Sequence, residues 1–116
     1  MSKQDIEAKL AELMDIVPEC EGLIAANIDG EVITGQTLTE LDDGNIAKIA
    51  SDVLKGIESL GAQVGKGAIK TTTVEIDEGF MVLVGSNDKI LIGLAGIDGQ
   101  ASLSLIKRHL KSISQL

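Results

Sequence analysis

Apolar residues recur along this chain with two periods, and their order predicts eight elements. Ile6, Leu10, Leu13, Met14 and Val17 follow one another at helical spacing. Ser2 is placed to cap the start, with Asp5 three residues later as in a shortened capping box, and Pro18 ends the run. At 3.6 residues per turn these positions span an arc of about 100°, the usual width for a helix lying on one face of a sheet. From Gly22 to Ile28 both alternating sets, Leu23/Ala25 and Ile24/Ala26/Ile28, are apolar or small, as in a strand covered on both faces. Asp29-Gly30 signals a two-residue hairpin, and Glu31-Val32-Ile33-Thr34 returns as a more polar strand. Gln36 to Gly44, with Glu40, Asp42 and Asp43, reads as a loop running into a helix start whose carboxylates suit the helix dipole.

A second helix is expected from about Asp43 to Leu60, carrying Ile46, Ala47, Ile49, Ala50, Val53, Leu54, Ile57 and Leu60, with Gly61 as its C-terminal cap. Its apolar and small positions cover about 180° of the circumference, leaving Lys48, Ser51, Asp52, Lys55, Glu58 and Ser59 as the polar side. One sheet face does not need so broad a stripe, and surplus apolar surface marks a contact with another chain. After Gly65-Lys66-Gly67, Ile69 to Ile76 reads as a strand whose Thr71-Thr72-Thr73-Val74 suits partial exposure at a sheet edge. Phe80 to Val84 and Ile90 to Leu94 are continuously apolar strands, entered through Asp77-Glu78-Gly79 and Ser86-Asn87-Asp88. Beyond the loop from Gly96 to Gly99, a third helix from roughly Gln100 to Ser114 turns Leu103, Ile106, Leu110 and Ile113 inward.

Short hairpins make strands one and two neighbours and set strands three, four and five side by side. With the buried strands one, four and five central and the polar strands two and three at the edges, the two blocks join only through one and five. The expected fold is therefore α+β, in the order α-β-β-α-β-β-β-α: three layers, with a five-stranded antiparallel sheet (order 2-1-5-4-3) between helices. At 116 residues the chain makes one domain, 1–116.

Composition narrows the function. Phe80 is the only aromatic residue, so no rings are available for base stacking, and a net charge of −8 opposes phosphate binding; nucleic acid is excluded as an expected partner. The N-terminal residues lack a secretory pattern, no apolar run approaches the roughly 18 residues of a membrane span, and Cys20 has no second cysteine to pair with. A cytoplasmic protein without membrane insertion is expected.

Catalysis has little to work with: one His and one Cys, and no matching spacing of further ligands. His109, among Lys107, Arg108 and Lys111, reads as a solvated residue complementing the helix dipole, and Cys20 as a small, partly buried loop residue. Gly65-Lys66-Gly67 lacks the P-loop spacing, and Gly93, Gly96 and Gly99 do not make a dinucleotide fingerprint. The acidic groups Glu40/Asp42/Asp43 and Asp77/Glu78 do not follow a calcium-loop pattern and read as solvated turns. No enzyme, cofactor or metal site is expected.

The stretch Gly22-Leu23-Ile24-Ala25-Ala26-Asn27-Ile28-Asp29-Gly30-Glu31-Val32-Ile33 after the first helix, and Leu91-Ile92-Gly93-Leu94 before the last, resemble the roadblock / dynein light chain / MglB family over almost the whole chain. The resemblance implies a small non-enzymatic module that dimerises through its second helix and third strand. It also implies a platform of paired second helices that binds a Ras-like small GTPase, with or without promoting hydrolysis. On that footing Ala47, Ala50, Leu54, Thr71 and Thr73 are the candidate dimer interface, and Lys48, Asp52 and Lys55 the candidate partner contacts. The leading expectation is a homodimeric regulator or scaffold for such a GTPase. The alternative is a structural adaptor subunit of a larger complex, of motor light-chain or scaffold type, without effect on nucleotide turnover. A small-ligand sensor is a third reading, for which the dense aliphatic pattern offers no polar-lined cavity.

Overall fold

The computed structural model describes residues 3–116 and carries the expected succession of elements. These are α1 (Lys3–Ile16), β1 (Cys20–Asn27), β2 (Val32–Thr37), α2 (Asp43–Val64), β3 (Thr72–Ile76), β4 (Gly79–Gly85), β5 (Lys89–Gly96) and α3 (Leu103–Ser114), with a 3-10 segment over Ile97–Ser102 leading into α3. The sheet order is β2-β1-β5-β4-β3, and every neighbouring pair is antiparallel. Pairings such as Leu23 with Gly93 and Ile24 with Ile92 make the β1–β5 junction the centre of the sheet.

Because strand side chains alternate, the apolar runs of β1, β4 and β5 feed two cores. Leu23, Ala25, Val82, Val84 and Leu91 meet Ile6, Leu10 and Leu13 of α1 and Ile106, Leu110 and Ile113 of α3 on one face. Ile24, Leu83, Ile90 and Ile92 meet Ala50 and Leu54 of α2 on the other. Two helices share the first face, whereas α2 is alone on the second. Its contacts run across β2, β1, β5 and β4.

Several local expectations shift. The hairpin between β1 and β2 is not a two-residue turn. That turn needs positive φ at both Asp29 and Gly30, and only Gly30 has it (φ 89). The loop instead closes between Asn27 and Glu31, whose backbones bond at 2.9 Å, with the Asn27 side chain accepting the N–H groups of Asp29 and Glu31. β2 runs on to Thr37, through residues read as loop. β3 starts only at Thr72, leaving Thr71 outside it. α2 continues one turn past the expected end: Gly61 is buried inside it, facing Ile69, and Gly65 in the left-handed conformation (φ 66) is the cap. At its start Asp42 accepts the Asn45 N–H at 3.1 Å. Ser2, the expected cap of α1, lies outside the described residues.

Candidate functional site

α2 presents three different sides, and neighbouring turns fix which way each one faces. Ala47, Ala50 and Leu54 point onto the sheet and are almost fully buried there. Ser51, assigned to the polar side from the sequence, is only 3% exposed; its hydroxyl donates to the Ile28 carbonyl at 2.7 Å. Gly30 lets the hairpin lie against the same stretch of helix, because a Cβ there would come within 2.8 Å of the Lys48 Cα. The hairpin therefore occupies the flank of α2 that carries Ser51.

The opposite flank is bare. Ile49 (54% exposed), Val53 (40%), Leu60 (64%) and Val64 (62%) recur at helical spacing on the side away from Ser51, while the half-buried Ile46, like Met81 and Leu94 of the sheet, packs against the core beneath α2. This flank looks over the β4–β3 half of the sheet. β3 pairs with β4 alone, from Thr72 opposite Leu83 to Ile76 opposite Gly79, so its outer edge keeps unpaired backbone groups. Directly opposed residues of an antiparallel pair share a face, which puts Val74 and Ile76 on the α2 side of the sheet; both are exposed. Thr73 is exposed on the other face, and Thr71 is half-buried just before the strand.

The residues expected at a copy–copy contact thus separate. Ala47, Ala50 and Leu54 are sheathed by their own sheet, Thr71 and Thr73 lie at or beside the free edge, and the accessible apolar side chains are Ile49, Val53, Leu60 and Val64. The width of the apolar stripe was readable in the sequence, but its direction was not. Lys48, Asp52 and Lys55 are all exposed, Lys48 and Lys55 on the hairpin-side shoulder of α2, three and four residues from Ser51, and Asp52 nearer its outer face; no ion pair among the described residues involves them.

The remaining candidate chemistry is quiet. Cys20 is the first residue of β1 rather than a loop residue; it is 2% exposed, and burial pushes its thiol up from the ordinary value, so the nucleophilic thiolate is disfavoured. His109 is half-buried on α3. Among the described residues no three His, Cys, Asp or Glu side chains come together as a metal site. No helix among them is long and apolar enough to cross a membrane.

No family model matches the chain. In sequence it is similar to the uncharacterized protein MJ1340 of Methanocaldococcus jannaschii, at 26% identity over 95 residues and 82% of each chain. In structure it is similar to a roadblock/LC7 domain from Streptomyces avermitilis, with a TM-score of 0.81 and 20% identity over 93% of this chain and 90% of that one. It is similar also to Myxococcus xanthus MglB, with a TM-score of 0.82 and 11% identity over 96% of this chain and 93% of the other. At such identities the likeness is one of architecture, and by architecture this chain has the roadblock/LC7 fold.

Proposed function

We propose that the protein is a homodimeric, non-enzymatic regulator or scaffold of the cytoplasm that binds a Ras-like small GTPase on a platform of paired α2 helices. The observation that carries the proposal is the pairing of two liabilities on one side of the molecule: an apolar α2 flank, and the unpaired β3 edge next to it. A two-fold axis beside β3 answers both at once, because β3 bonds to its own copy and the two flanks meet over the joined sheet. In that arrangement Lys48, Asp52 and Lys55 stay exposed on the shoulders of the paired helices away from the axis, open to a partner that straddles them. The roadblock/LC7 fold and the likeness to MglB support the same reading.

The single arginine of the chain, Arg108, lies on α3, across the sheet from α2. The platform therefore has no arginine to insert into a neighbouring nucleotide site. Any stimulation of hydrolysis works by ordering the switch residues of the GTPase itself.

The test is recovery of small GTPases encoded in the same genome by immobilised protein, loaded with GDP or with a non-hydrolysable GTP analogue, followed by turnover assays at equimolar protein. Nucleotide-dependent recovery that is lost in Lys48→Glu/Lys55→Glu supports the platform. Recovery of a large assembly regardless of nucleotide establishes the structural adaptor instead, and no binding to any GTPase refutes the proposal.

A further inference from the structure

The antiparallel order of the sheet sends four connections to one end of the molecule: the α1–β1 loop, the β2–α2 loop, the β3–β4 turn and the exit from β5. Those connections, residues 17–21, 37–43, 76–79 and 95–102, contain eight carboxylates and no Lys, Arg or His. Glu19 and Glu21 come from the first, Glu40, Asp42 and Asp43 from the second, Asp77 and Glu78 from the third, and Asp98 from the last. At the opposite end the acids Asp29, Glu31 and Asp88 are outnumbered by Lys66, Lys70, Lys89 and Lys111, and over all residues outside the four connections acids and bases cancel. The net charge of −8 therefore sits at one pole.

That pole also holds a groove of about 310 Å³. Leu41, Ile76, Phe80 and Leu94 form its apolar floor, and Glu21 and Glu78 stand on its rim. Leu41 and Ile76 are 40% and 49% exposed, and Leu38 and Ile97 at the same end are more exposed still. Carboxylates held together without counter-charge repel one another, and apolar side chains left in water beside them gain from burial. A segment that brings Lys or Arg to the rim and an apolar side chain to the floor relieves both. An apolar partner without charge leaves the repulsion in place, and an acidic one adds to it.

We infer that this groove is a docking site for a basic, amphipathic segment of a partner protein, separate from the outer face of α2. The occupant is set by charge complementarity. A second copy meeting this groove with its own acidic pole, as a two-fold contact here requires, would bring like charge to the rim.

The probe is a fluorescein-labelled Leu/Lys amphipathic peptide of about 14 residues, some 20 Å long as a helix, titrated against the full chain. A control peptide of the same charge has every Leu replaced by Ser. Amide shifts on peptide addition are expected at Leu41, Ile76, Glu78 and Leu94. The control peptide, and the variant Glu21→Lys/Glu78→Lys, should each weaken binding by at least about tenfold, and salt should suppress binding as the Debye length falls from about 10 Å at 0.1 M to about 3 Å at 1 M. Glu7→Lys/Glu58→Lys makes the same change in net charge elsewhere and should leave affinity within about twofold. Equal losses in the two variants, or shifts spread over the surface, mean non-specific attraction and overturn the assignment. Groove shifts that follow protein concentration without peptide mean that a second copy is the occupant, which overturns it equally. All four substituted glutamates are exposed, so the variants keep the native amide dispersion that the mapping needs.

Discussion

Replacing Ile49 and Leu60 together by Glu should separate association from folding, because both side chains lie on the bare flank of α2 and contribute little to the fold. Ile49 is 54% and Leu60 64% exposed, so a two-fold contact over this flank removes from water a little over one whole side chain's worth of apolar surface from the pair. At about 2 kcal/mol for a fully buried Ile or Leu, that is roughly 2.4 kcal/mol per copy and about 5 kcal/mol across a two-fold interface. At 1.4 kcal/mol per tenfold, the dimer dissociation constant should rise more than about a thousandfold, before any penalty for desolvating the new carboxylates. Glu is as good a helix former as Leu and better than Ile, so the monomer should still fold cooperatively, its Tm below that of the wild type only by the concentration-dependent amount that dimerisation adds. Leu54→Ala is the contrasting perturbation: at 8% exposure in the core beneath α2, it should cost about 2–5 kcal/mol of folding stability. At about 4 °C per kcal/mol for a chain of this size, Tm should fall by about 8–20 °C. Light scattering across the micromolar range, paired with thermal unfolding, reads both effects. A wild-type chain that stays monomeric at several hundred micromolar, or a double variant that dimerises like wild type, would refute the reasoning.

Two glycines with positive φ should respond differently to Ala. Gly30→Ala combines strain with a Cβ 2.8 Å from helix backbone and should lose about 2–4 kcal/mol, whereas Gly65→Ala opens into free space and should lose about 1 kcal/mol, both by urea denaturation. Ser51→Ala removes the 2.7 Å bond to the Ile28 carbonyl and strands that acceptor, for about 1–2 kcal/mol by the same assay, with faster amide exchange in the β1–β2 hairpin. Cys20 should resist iodoacetamide in the native protein and react on unfolding, since burial holds its thiol neutral; equal rates in the two states would mean that the start of β1 is open. The Lys89 ammonium donates to both Asp88 carboxylate oxygens, at 3.1 and 3.3 Å, and holds that carboxyl below its ordinary value. A depressed folded-state value stabilises above the unfolded carboxylate range and is lost as pH falls through the folded one. Asp88→Asn should therefore flatten the stability profile below about pH 4 and leave the profile near neutrality unchanged in slope.

The chain's periodicities determined the element types, their order and even the strand order, because side-chain alternation and helical spacing are local properties and short hairpins leave few ways to join two blocks of strands. Buried strands one, four and five had to be central, and in the structure they are. Local signals also reached their limit at the turns. Gly61 and Gly65 are equivalent as caps in the sequence, and only the contact of Gly61 with Ile69 and the left-handed backbone at Gly65 tell them apart. The same holds for α2: its composition revealed surplus apolar width, but rotation about the helix axis is set by what the helix touches. The hairpin carbonyl that captures Ser51 turned Ala47, Ala50 and Leu54 inward and left Ile49, Val53, Leu60 and Val64 in water. The acidic pole shows the distinction most plainly. Its carboxylates are scattered from Glu19 to Asp98 and look like solvated turn residues one by one, and it is the antiparallel alternation of five strands that carries them all to the same end.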